Sequence, residues 1–107
     1  MIRLVCYKEE VIWRGTVLRL PSKWPYEENV DFMVFKNHDD ERPLGLMVTS
    51  GYKAGLILVV LPRECLAEDS IAIKKDWLIE NWEKWVYPEA NVNDVYVTKY
   101  TAKLPAK

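Results

Sequence analysis

The chain has 107 residues, half of them apolar, with 15 basic and 16 acidic side chains and a formal net charge of −1. This length predicts a single domain over 1–107 with a flexible tail from about 101, and the apolar fraction excludes disorder. A pI near 5.8 argues against a nucleic-acid partner, and no segment approaches the ~20 apolar residues that span a bilayer.

Residues 2–7 alternate, with Ile2, Leu4 and Cys6 on one side and Arg3, Val5 and Tyr7 on the other, which predicts a strand. Lys8, Glu9 and Glu10 form a polar turn, and Val11 to Leu20 predicts a second strand that pairs with the first as a hairpin. Gly15 in its middle signals a bulge or a close backbone approach. Pro21 to Asn29 reads as a loop, because Pro21 and Pro25 remove backbone donors and bias their predecessors away from helix.

Val30 to Lys36 alternates again and predicts a third strand, followed by a solvated turn over Asn37 to Pro43. Leu44–Thr49 and Leu56–Leu61 are the fourth and fifth strands, joined by a hairpin loop whose glycines supply positive φ. The fifth is apolar on both sides, which predicts the sheet centre or a place under the helix. After a short strand within 70–74 comes one amphipathic helix, about 75–87. Its stripe is Leu78, Trp82 and Trp85, its cap Asp76 and its stop Pro88. Val92 to Tyr100 is a last strand. The fold class is therefore α+β: a mostly antiparallel sheet of five to seven strands with one helix packed on it.

The N-terminal residues carry no apolar signal region, so the expected compartment is the cytoplasm, with Cys6 and Cys65 as reduced, partly buried thiols. Groups for catalysis are few. His38 is the only histidine, and it lies in a charged turn beside Asp39, Asp40 and Glu41 that lacks calcium-loop spacing. Cys6 reads as core. Cys65 has Arg63 nearby to favour its thiolate but no surrounding signature. The Ser50–Gly55 loop lacks the ending of a phosphate loop. No catalytic, cofactor or metal residue is assigned.

Aromatic content stands out, with 5 Trp and 6 Tyr. Trp82 and Trp85 lie on the helix's apolar stripe and read as core. Trp24 and Tyr26 lie in a proline-flanked loop beside Glu27 and Glu28, where aromatics serve either as contact anchors or as cover for the core. Two acidic clusters, Glu27–Glu28 and Asp39–Asp40–Glu41, stand at opposite ends of the third strand, which also carries Asp31. Exposed, they would steer a basic partner.

The pattern Trp13-Arg14-Gly15, then Leu20-Pro21-Ser22-Lys23-Trp24-Pro25, then Trp77-Leu78, Asn81-Trp82 and Trp85 to Tyr87-Pro88 resembles the immunity protein 45 family of bacterial polymorphic toxin systems. The likeness runs from the second strand to the last. It implies a cytoplasmic antitoxin that performs no chemistry. Such a protein binds the C-terminal domain of a toxin delivered by contact-dependent growth inhibition or a related route, and blocks its active site or an essential surface. The implied partner is that toxin domain, a nuclease or another cytosolic enzyme. Candidate toxin-binding residues are Trp24, Tyr26, Glu27, Glu28, Asp31, Asp39, Asp40 and Glu41. Two other readings stay open: a non-catalytic interaction adaptor, and a small thiol- or metal-dependent enzyme built on Cys65 or the His38 loop. Oligomeric state is not fixed, since an apolar edge strand can pair two copies.

Overall fold

Strands that alternate apolar and polar side chains must find hydrogen-bonding partners for their backbone and a cover for their apolar side. The structure, a computed structural model, describes residues 2–21, 29–51, 53–67, 72–88 and 90–98. The described strands are β1 (Ile2–Arg3), β2 (Val11–Trp13), β3 (Val17–Pro21), β4 (Asn29–Asp39), β5 (Arg42–Val48), β6 (Ile57–Leu61), β7 (Ala72–Lys74) and β8 (Tyr96–Thr98). Six form one sheet in the order β1-β8-β3-β4-β5-β6; β2 and β7 form a separate ribbon. All pairings are antiparallel. The α+β expectation holds.

The centre of the sheet follows the alternation closely. Leu18 and Leu20 of β3, Phe32 and Val34 of β4, and Leu44, Leu46 and Val48 of β5 turn to one side and are buried. They meet Leu78, Trp82 and Val86 from the helical segment, together with Leu4, Tyr7, Ile12, Cys65, Ile73, Val95 and Val97. At ~25 cal/mol per Å² of apolar surface, each fully buried leucine contributes roughly 2 kcal/mol before entropy is subtracted. Gly51 and Gly55 hold φ of 69° and 97° in the β5–β6 loop, the positive values expected there.

Several expectations are corrected. The strand read over 2–7 covers only Ile2–Arg3; residues 4–6 wind into a tight turn that buries Leu4 and leaves Cys6 exposed. Cys6 is therefore not core. The expected hairpin between the first two strands does not form: β1 pairs with β8 and β2 with β7. The stretch 11–20 is two strands in two sheets, divided at a turn where Gly15 has φ 90°. The turn read over 37–43 is shorter, because β4 runs on to Asp39 and β5 begins at Arg42. β6 sits at the sheet edge rather than its centre, although it does lie under the helical segment at 82–86. Among the described residues the last strand is Tyr96–Thr98, so it starts later than expected, after a tight turn at 92–94; residues 99 and 100 and the expected tail lie outside the described residues.

The helix begins and ends near the expected residues but is not continuous. α1 (Lys75–Glu80) stops at Asn81, whose φ of −107° is not helical, and residues 82–86 continue in a wider π turn. Asn81 donates from its backbone and from Nδ2 to the Trp77 carbonyl, at 3.0 and 2.9 Å. The side-chain bond is thus added to the regular ladder bond on the same carbonyl. Asp76 does not cap the helix. The N-cap position is Lys74, without a side-chain cap bond, and Asp76 lies in the first turn, where its charge suits the dipole.

Candidate functional site

Of the eight residues singled out for partner binding, Trp24, Tyr26, Glu27 and Glu28 lie outside the described residues. Asp39, Asp40 and Glu41 form the exposed tip of the β4–β5 hairpin. There the Asp39 carboxylate accepts a bond from the Glu41 backbone N–H at 2.9 Å, and the Asp40 carbonyl accepts one from Arg63. Asp31 lies eight residues back along β4, about 27 Å away at ~3.4 Å per residue. Asp31 and the tip carboxylates therefore do not form one patch.

Nor is Asp31 a free charge. It faces Arg19 across β3–β4 in a two-pronged pair, with Nε to Oδ1 at 2.8 Å and Nη2 to Oδ2 at 2.9 Å. Its backbone N–H donates to Ser50 Oγ at 2.9 Å. A carboxylate matched this way by a guanidinium is not available to steer a distant partner.

That pair marks a surface the sequence reading passed over. Residues directly opposite each other on neighbouring strands share a sheet face. The face away from the helix carries the row Thr98, Val17, Met33, Met47 and Ile57, one residue from each of five strands. Beside it run Tyr96, Arg19 and Asp31 on one side, and Phe35, Gly45 and Val60 on the other. Val17, Met33, Phe35, Met47 and Val60 are only partly buried and do not belong to the core cluster; Ile57 is 55% exposed. The signal was in the sequence: β4 and β6 are apolar at both alternating positions, so one face is left over when a helix covers the other.

A cleft of about 1090 Å³ opens between the β2–β7 ribbon and the start of α1. Trp13, Leu66 and Trp77 are among its apolar lining residues, and three lysines and three carboxylates line it too. Trp13 is nearly half exposed. Trp77 packs on Trp85 with ring centroids 6.3 Å apart, and the Arg42 guanidinium lies 5.4 Å from the Trp85 ring centroid. Trp85, read as core, is thus half-buried at the margin and holds Arg42 on the helix side of the hairpin.

Burial argues against Cys65 as a nucleophile. Cys65 has no exposed surface, and burial pushes its thiol up to about 11. At pH 8 about one molecule in a thousand carries the nucleophilic thiolate. We expect iodoacetamide on the native protein at pH 8 to modify Cys6 alone, and both cysteines after denaturation. Mass spectrometry of the digested protein reads this directly; labelling of both at similar rates in the native state would contradict it. Among the described residues no three His, Cys, Asp or Glu side chains gather as metal ligands.

No curated protein and no solved structure matches the chain significantly. The immunity protein 45 family matches residues 4–97, a span from the first tight turn to β8 that takes in the whole core. The chain belongs to the immunity protein 45 family.

Proposed function

We propose that this protein is an antitoxin that binds the C-terminal domain of a cognate toxin in the bacterial cytoplasm and occludes its active site or an essential surface, without chemistry of its own. The toxin domain is a nuclease or another cytosolic enzyme with a basic substrate groove, delivered by contact-dependent inhibition or a related polymorphic toxin route. Family membership supplies the class of partner. The observation that carries the electrostatic part is the exposed carboxylate tip Asp39–Asp40–Glu41, held forward at the end of the longest hairpin. Such a tip opposes a basic groove and speeds encounter. Trp24 and Tyr26, with Glu27 and Glu28, which precede β4 in the sequence, remain proposed anchors.

The test is co-expression with the toxin domain encoded beside this protein, followed by co-purification. Growth rescue with a stable complex is the expected result; toxicity without rescue would defeat the reading. Charge reversal at the tip (Asp39→Lys, Asp40→Lys and Glu41→Lys together) should slow association about tenfold at low salt and weaken its salt dependence. An unchanged association rate would remove the tip from the interface.

A further inference from the structure

We propose that the face of the six-stranded sheet turned away from the helix, centred on Met33 and Met47, grips the toxin domain, and that the toxin meets it with an apolar patch bordered by basic side chains. The inference rests on the immunity reading and assigns the surface that performs it.

Charge at a hairpin tip sets encounter rate more than residence time. Tight complexes need a desolvated apolar centre with a polar rim. The sheet face has that arrangement. Met33 and Met47 are direct cross-strand partners at its middle, flanked by Val17 and Ile57 in the same row and by Phe35 and Val60 in the next. Methionine is adaptable and polarisable, and its use at a partly exposed sheet centre suits a surface that must fit another protein. Arg19, Asp31 and Tyr96 border this centre on one side, with Arg3 reaching the Tyr96 hydroxyl at 3.5 Å. The carboxylate tip extends beyond it on the other, because β4 and β5 continue from Phe35 and Gly45 to the turn.

The size is appropriate. Six strands ~4.8 Å apart and about 20 Å long give a projected face of roughly 500 Å². Its apolar centre is part of that area, and large apolar patches on a monomer are often functional. Adding the tip brings the surface toward the ~800 Å² that each partner buries in a standard complex.

Charge distribution favours a basic-bordered partner over a second copy of this chain. Stacked head to tail, a second copy would offer its Arg19 end to the carboxylate tip, but Arg19 is already committed to Asp31. Among the described residues that leaves Arg3 to meet three carboxylates. Stacked head to head, the two tips would repel.

Met47→Glu places a charge on the centre of this face without touching the core. Ile57→Asp does the same at the edge, at a side chain that is 55% exposed, and guards against a folding defect in the first variant. Lys84→Glu, on the exposed outer side of the helical segment, is the control. Calorimetric titration with the purified, inactivated toxin domain should show a loss of about 30-fold or more for Met47→Glu and a smaller loss for Ile57→Asp. Lys84→Glu should bind as the unmodified protein does. Circular dichroism confirms the fold of each. Unmodified protein that fails to bind would defeat the immunity reading itself. Binding that survives both face variants would overturn this inference alone. A concentration-dependent dimer of the unmodified protein that Met47→Glu dissociates, with toxin affinity unchanged, would assign the face to a second copy instead.

Discussion

Trp82→Ala is expected to cost about 3–5 kcal/mol and to lower the melting temperature by about 15 °C or more. Trp82 is 1% exposed and is the largest side chain in the core, packed where the helical segment lies against the sheet. A chain of this size has roughly 5–15 kcal/mol of stability in total, so the variant would be marginal at 37 °C. The companion variant is more informative. The indole Nε1 of Trp82 is buried with no hydrogen-bond partner among the described residues. An unsatisfied buried donor costs about 1–3 kcal/mol. Trp82→Phe removes that donor while keeping most of the ring, so the relief offsets much of the lost packing and the net change should fall within about 1 kcal/mol. Urea denaturation at a constant m-value measures both variants. A Trp82→Phe loss approaching that of Trp82→Ala would mean that losing the Nε1–H brings no relief and that the phenyl ring does not restore the packing of the indole.

The same residue shows how far pattern reading reaches. The i, i+4, i+7 stripe of Leu78, Trp82 and Trp85 locates a helix and its inner side, because apolar periodicity reports burial directly. It does not report the interruption at Asn81, where φ is −107° and the amide side chain also reaches the Trp77 carbonyl. Alternation likewise locates β3, β4 and β5, which pair with close neighbours in sequence. It says nothing about partners far along the chain: Ile2 lies opposite Val97, and Ile12 opposite Ile73. Loop-closing contacts of that length leave no local mark, so the predicted first hairpin was the default and was wrong.

The candidate site divides along the same line. Carboxylates in a polar run are visible as a turn, and Asp39–Asp40–Glu41 lies at one. That Asp31 is spent on Arg19 follows only from the β3–β4 register. Met33 and Phe35 resemble ordinary strand interior until the position of the helix shows which side of the sheet it covers.

Gly45→Ala is the second large effect, and its sign opposes the usual rule. Alanine in place of a strand glycine ordinarily stabilises by about 0.5–1 kcal/mol, because glycine loses more chain entropy on folding. A Cβ at position 45 would lie 2.6 Å from the Val59 carbonyl oxygen and 2.8 Å from Cε1 of Phe35. The Phe35 ring can turn aside, whereas the carbonyl belongs to the β6 backbone and moves only if the β5–β6 ladder moves with it. Steric cost therefore wins, and we expect a net loss of about 2–3 kcal/mol by urea denaturation. Phe35→Ala separates the two obstacles. If the ring carried most of the clash, the double variant Phe35→Ala/Gly45→Ala would be no less stable than Phe35→Ala alone. If the carbonyl carries it, as the geometry favours, most of the Gly45→Ala loss persists in the double variant. Glycine at this position then serves two ends. It lets β6 approach the sheet closely at its edge, and it leaves room for the Phe35 ring over position 45 on the face turned away from the helix.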